Sequence, residues 1–343
     1  MLSVRENRGH GPFAACLRMT DLSTDKEFNF LDAWFLTGAT ASGKTRVGLS
    51  LARKINAEII ALDSMSLYRD MDIGTAKPTP AEQSEIPHHL VDVLDPTETS
   101  SISHYLQMAQ DAAKEIRSRG KQVLFVGGTP LYLKALLRGL SEGPAPDRQF
   151  RQELEEEASR VGNAALHARL RMIDPLAAAR IHENDTRRMI RALEVHKATG
   201  QPMSHYQFDF EDHVSPDKCR AFWLNWDRPV LHDRINARVE AMFDAGLVDE
   251  VQRLLDKHSP LSMTALQAVG YQEVIDYLAG TRELESAKER VKARTRQFAK
   301  RQCTWFRSLE ECREVPLSGE LDAEEVAQQI VDMAESPDAS STN

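Results

Sequence analysis

No run of about 18 consecutive apolar residues occurs in this 343-residue sequence, so a membrane-spanning helix is not expected. Cysteine is scarce. The four present (Cys16, Cys219, Cys303, Cys312) form no CxxC pair and no His/Cys cluster at zinc-ligand spacing, a pattern that suits a reducing cytoplasm rather than a disulfide framework. An excess of positive charge is also missing: 43 Lys and Arg against 52 Asp and Glu give a net charge of −9. That balance argues against a large, unspecific nucleic-acid-binding surface but leaves room for a local basic face. Internal repeats and low-complexity tracts are absent. The first thirty residues hold only a short apolar patch, Phe13 to Leu17, too short for a secretory h-region. Residues 1–32 therefore read as a mobile N-terminal extension, with Met19 as an alternative start.

What remains is ordinary for a globular chain, with 41% hydrophobic and 28% charged residues. Strands are expected at Trp34 to Leu36, Glu58 to Leu62 and Gln122 to Val126, separated by helices near Lys44 to Ile55 and Ser103 to Arg119. Such alternation implies parallel βαβ units and an α/β core. Proline and glycine then cluster at Gly143-Pro144-Ala145-Pro146, a plausible seam. Helical patterns follow at Phe150 to Val161, Ala164 to Met172 and Asp185 to Thr199, the last closed by Gly200 and Pro202. An apolar strand (Cys219 to Asn225) precedes helices at Leu231 to Ala245, Leu247 to Lys257 and Leu284 to Leu309. The expected organisation is an α/β core of residues 33–143 and 216–318, interrupted by a helical insertion at 144–215. A C-terminal helix and disordered tail would complete the chain over 319–343.

The most informative local signal is Gly38-Ala39-Thr40-Ala41-Ser42-Gly43-Lys44-Thr45, which matches GxxxxGK[ST] between an apolar strand and a helix. Successive backbone N–H groups and a helix N-terminus make a nest for a polyphosphate there. Lys44 adds a point charge, and the Thr45 hydroxyl can hold Mg²⁺. A Walker-B acid is missing, because the strand Val123 to Val126 runs into Gly127-Gly128-Thr129. Asp63, at the end of Glu58 to Leu62, is the nearby carboxylate. Hydrolysis of ATP is therefore not the natural inference, and a diphosphate carried by a substrate fits as well. A helix N-cap or a Mg²⁺ ligand is the lesser reading of Asp63, beside a catalytic one. His88-His89 has no spaced carboxylate or cysteine to support a metal site.

Several further blocks resemble, in order, the signatures of the tRNA dimethylallyltransferase family. Asp63-Ser64-Met65 with Tyr68 and Met71-Asp72-Ile73-Gly74-Thr75-Ala76-Lys77-Pro78 is similar to the block that follows the family's P-loop. Pro87 to Asp92, Gly127-Gly128-Thr129 with Leu131-Tyr132, and Asn184-Asp185 with Arg187-Arg188 and Arg191 to Val195 resemble the next three. Gly270-Tyr271 and Thr295 to Gln302 with Thr304-Trp305 complete the set, so the resemblance covers about Phe35 to Arg307. Three positions depart from the common pattern: Ser66 stands where many relatives have glutamine, Pro130 where glycine is usual, and Gln272 where a basic residue is frequent.

The resemblance implies a P-loop NTPase-like parallel sheet flanked by helices, with the insertion serving tRNA. It implies transfer of a dimethylallyl group from dimethylallyl diphosphate to the N6 amine of the adenosine 3′ to the anticodon, in tRNAs reading codons that begin with U. Asp63 would be the general base, Thr129 would bond the leaving or bridging oxygen, and Lys44 with Mg²⁺ on Thr45 would stabilise the departing diphosphate. Arg234 is a further diphosphate partner. RNA contacts would come from Asp63, Ser64, Met65 and Ser66, from Thr129, and from the insertion's Arg187, Arg188, Met189, Ile190 and Arg191. Gly270, Tyr271 and Gln272, then Arg296, Gln297, Lys300, Arg301 and Gln302, would complete the grip on the anticodon stem-loop. Lys288, Lys292, Arg296 and Lys300 share an i, i+4 face of one helix. A solvated helix face is the commoner meaning of such a pattern. The target base must leave its stack to be reached. A cytoplasmic monomer is expected. Three rivals stay open on sequence: an isopentenyltransferase acting on free AMP, ADP or ATP, a small-molecule P-loop kinase, and an RNA-binding module with a structural P-loop.

Overall fold

The computed structural model describes residues 30–139, 143–207 and 214–335. Most of the expected N-terminal extension, Cys16 and nearly all of the polar tail lie outside these. In chain order the core contains β1 (Trp34–Gly38), α1 (Lys44–Ile55), β2 (Ala57–Ala61), α2 (Pro80–Glu85), β3 (His88–His89), α3 (Ile102–Ser118), β4 (Gln122–Gly127) and α4 (Pro130–Arg138). Helices α5 (Arg148–Val161), α6 (Asn163–Ile173), α7 (Pro175–Arg180), α8 (Thr186–Thr199) and α9 (Met203–Gln207) follow. The chain then returns through β5 (Arg220–Trp226), α10 (Arg228–Asp244), α11 (Leu247–Lys257), α12 (Tyr271–Leu278), α13 (Leu284–Arg307), β6 (Cys312–Leu317) and α14 (Ala323–Glu335).

Among the described residues, six strands form one parallel sheet in the order β3-β2-β4-β1-β5-β6. Its inner strands are apolar on both sides, as a parallel sheet covered by helices requires. Phe35, Ile60, Phe125 and Trp223 face one core with Tyr105 and Phe306, while Trp34, Leu36, Leu124 and Phe222 face the other with α1, α10 and α14. Helices α5–α9 enclose a separate apolar cluster built on Phe150, Leu154, Leu166, Leu170, Met189 and Leu193.

Local chemistry explains the element ends. Asp147, Asp174 and Asp185 each accept a backbone N–H at the start of α5, α7 and α8, so Asp185 caps its helix instead of belonging to it. Helix α10 begins at Arg228, one turn before the apolar pattern suggests, because Pro229 fits a helix's first turn. Strand β6 was not evident in sequence: Arg313, Glu314 and Pro316 interrupt its apolar pattern, which only an edge strand tolerates.

Candidate active site

Because β1, β2 and β4 run parallel and side by side, their C-terminal ends open on the same edge of the sheet, where open α/β sheets bind ligands. The three segments singled out in the sequence all emerge there: the loop 38–45 after β1, Asp63 after β2, and Gly127-Gly128-Thr129 at the end of β4. Together they line one cleft of about 1070 Å³, whose far wall is α10 and α13.

The loop is held by its carbonyls, from within by Lys44 and from outside by Arg234 and Trp226. Lys44 Nζ donates to Ala39 O (3.4 Å), Arg234 Nε to Ala41 O (2.9 Å) and Trp226 Nε1 to Ser42 O (2.8 Å). The Arg234 guanidinium also lies over the Trp226 ring at 4.6 Å. Engaging the carbonyls this way leaves the first-turn N–H groups of α1, which have no intrahelical partner, to face an anion. Gly43 takes φ 94°, and a Cβ there would stand 2.3 Å from the Leu321 side chain, so glycine alone fits the start of α1.

Burial first, and then the neighbouring Arg238 charge, lower the Lys44 pKa to about 8, with Asp63 opposing them. Burial likewise lowers the Arg238 pKa against the pull of Asp63. Two recessed cations thus share the cleft with the Asp63 carboxylate. Asp63 Oδ1 accepts the Met65 N–H (2.9 Å), and Thr129 Oγ1 accepts the Ser64 N–H (3.2 Å), which ties Thr129 to the segment carrying Asp63. Thr45, Ser64, Met65, Ser66, Arg234, Gln272, Gln297 and Arg301 also line the cleft. Among the described residues no cluster of three or more His, Cys, Asp or Glu could hold a metal, so a cation there would depend on Thr45 and on oxygens of the ligand itself.

Other expected contacts require correction. Met189 and Ile190 are buried in the core of α5–α9, Tyr271 is buried with its hydroxyl bonded to Glu250 (2.7 Å), and Gly270 is a buried helix cap. None of these presents a side chain to RNA. Gln302, 3% exposed, points inward to Thr40 N and Gly128 O. Lys288 and Lys292 pair with Glu240 of α10, and Arg296 bonds Asn236 (2.5 Å), so the i, i+4 face of α13 is turned against α10. The face that meets the cleft is one step away: Arg294, Gln297, Phe298 and Arg301. Lys300 is exposed. On α8, Arg187 and Arg188 are exposed while Arg191 pairs with buried Glu194. Among the described residues lining the cleft, none comes from α5–α9. His89 bonds Glu58 (2.7 Å), which also takes Arg119, so this histidine is structural.

Arg238 escaped the sequence reading. Its only signal is its place one helical turn after Arg234, which puts both on the same face of α10.

Comparison with known proteins converges on one family. The IPP transferase family model matches residues 66–309 and the isopentenyl transferase model residues 31–92. The tRNA dimethylallyltransferase of Rhodopirellula baltica is 48% identical over 292 residues, covering 83% of this chain and 87% of the relative. The crystal structure of the tRNA isopentenylpyrophosphate transferase of Bacillus halodurans superposes with a TM-score of 0.64 at 38% identity, covering 89% of this chain and 96% of that one. A eukaryotic dimethylallyltransferase acting on tRNA gives a TM-score of 0.70 at 26% identity, covering 89% of this chain and 77% of the other.

Proposed function

The chain belongs to the tRNA dimethylallyltransferase family of IPP transferases, and we propose that dimethylallyl diphosphate is its donor, bound by the loop 38–45, Arg234 and Arg238. The acceptor is the N6 amine of the adenosine 3′ to the anticodon in tRNAs reading codons that begin with U. The observation that carries this reading is the meeting, in one cleft, of a phosphate loop, two recessed cations and the Asp63 carboxylate.

The adenine amine is a poor nucleophile because its lone pair is delocalised into the ring. Asp63 Oδ1 is occupied by the Met65 N–H, which leaves Oδ2 to take the amine proton as the C–N bond forms. The allylic C–O bond breaks in the same transfer, and its electrons leave with the diphosphate. Lys44, Arg238 and the first-turn amides of α1 oppose that growing negative charge, so their attraction is strongest when the bond is broken. Thr129 stands on the Asp63 side and offers its hydroxyl proton to the leaving oxygen. Thr45 would hold Mg²⁺ together with diphosphate oxygens, and the ion would supply further charge neutralisation. The target base is extruded into the cleft, and Arg294, Gln297 and Arg301 face the RNA beside it.

A free mononucleotide acceptor is not favoured, since tRNA-acting relatives match most of the chain and the IPP transferase model spans α5–α9. A monomer in the cytoplasm is part of the same proposal. Among the described residues no helix is long and apolar enough to cross a membrane.

The test is incubation with Mg²⁺, dimethylallyl diphosphate and unmodified tRNA whose anticodon is followed by adenines, then nucleoside mass spectrometry. Isopentenyladenosine on tRNA, none on AMP, is the expected result. Transfer to AMP alone would move the chain to the mononucleotide enzymes, and labelled phosphate passing from ATP to a small acceptor would revive a kinase.

A further inference from the structure

Gln302 sits on the helix that meets the RNA, yet its side chain is buried at 3% exposure and turned toward the donor. Its Oε1 accepts the Thr40 N–H (2.9 Å), and its Nε2 donates to Gly128 O (2.5 Å). One carboxamide thus ties the loop after β1 to the turn after β4. Only an amide of this length offers an acceptor to one and a donor to the other. The fit is close: a Cβ on Gly128 would stand 2.6 Å from Nε2 and 3.4 Å from Lys44 Nζ. The residue after Gly128 is Thr129, whose hydroxyl accepts from Ser64 beside Asp63.

We infer that Gln302, at the border of the cleft, is a positioning residue that sets the diphosphate loop against Thr129 by bracing Thr40 and Gly128 from α13. Its effect passes through Thr40 and Gly128, so losing it loosens the donor cradle and leaves the RNA-facing side chains Gln297 and Arg301 where they are. The inference rests on the reading of the loop as the diphosphate site.

Two variants test it. Gln302→Met fills nearly the same volume and removes both hydrogen bonds. Gln302→Glu keeps the acceptor toward Thr40 but sets a carboxylate against the Gly128 carbonyl, a clash relieved when the carboxyl is protonated and can donate. Calorimetry with inorganic diphosphate and Mg²⁺, titration with an anticodon stem-loop, and steady-state transfer are measured for each. Gln302→Met is expected to weaken diphosphate binding and raise donor KM about tenfold, with stem-loop affinity changed less than about twofold. Relative to wild type, Gln302→Glu recovers donor affinity as pH falls from about 8 to about 6. Loss of stem-loop affinity with diphosphate binding intact would overturn the inference and make Gln302 an RNA contact. So would a loss without pH recovery that runs parallel to a fall in melting temperature, the mark of a purely structural residue. If Gln302→Met does not fold, the pH-dependent recovery of Gln302→Glu decides. A wild-type protein that binds diphosphate but transfers nothing to tRNA would count against the proposed reaction alone, since the calorimetry still reads Gln302.

Discussion

Arg238 stands near enough to Lys44 to depress its pKa, so the two recessed cations oppose each other in the free protein and are relieved together by an anion. The charged form of Lys44 attracts the donor. kcat/KM for the donor should therefore be full below pH 8 and decline as pH rises through about 8. Arg238→Gln removes one cause of the depression and should move that limb to higher pH while lowering the plateau. A limb that stays in place in the variant would show that the coupling is absent.

The same shift has a stability side. The unfolded chain keeps the Lys44 proton to about 10.5, while the folded chain releases it near 8, so folding stability should rise with pH between the two. Lys44→Met should lose that rise, melt a few degrees higher than wild type at neutral pH, and bind no diphosphate. Thermal unfolding from pH 7 to 10 reads the first two effects and calorimetry the third.

Asp63→Asn should reduce single-turnover transfer by about two to four orders of magnitude. The carboxamide can still accept the Met65 N–H, so diphosphate and stem-loop affinities should be kept. Equal losses in binding and in turnover would instead assign Asp63 to substrate binding.

On α13 the cleft-facing register makes a sharp contrast. Arg301→Ala should weaken stem-loop binding and reduce the slope of log affinity against log salt by about one, whereas Lys292→Ala, already paired with Glu240, should change neither. Filter binding over a salt series distinguishes them.

Glu250 accepts the N–H groups of Asp72 (3.0 Å), Ile73 (2.7 Å) and Gly74 (3.1 Å) as well as the Tyr271 hydroxyl, and is 4% exposed. Glu250→Ala would strand these donors and should cost about 3–5 kcal/mol in denaturant unfolding. A loss near zero would mean that the loop rearranges freely.

Much of this site could be read directly from sequence because its chemistry is local. A phosphate loop needs its glycines and lysine within eight positions, and Asp63 and Thr129 follow strands whose apolar runs are plain. The parallel core followed from the same alternation. What could not be read depends on partners distant in the chain. The spacing of Lys288, Lys292 and Arg296 shows that they share a face, but which way the face turns is decided by Glu240 and Asn236 on α10. Met189, Ile190 and Tyr271 lie in family-like blocks, yet an apolar side chain inside such a block serves a core as readily as a ligand. Gln302 is polar and follows Lys300 and Arg301, which is how an RNA contact looks until the fold places Thr40 and Gly128 against it.

The loop that begins at residue 38 is braced by Trp226, Arg234, Gln302 and Leu321. Contacts of such sequence separation form late and slowly. A chain still being translated therefore carries its phosphate loop outside the ribosome long before the loop has anything to rest on. A product cut short before β5 would have the complete motif and none of these braces, so the later part of the message decides whether the first part can bind.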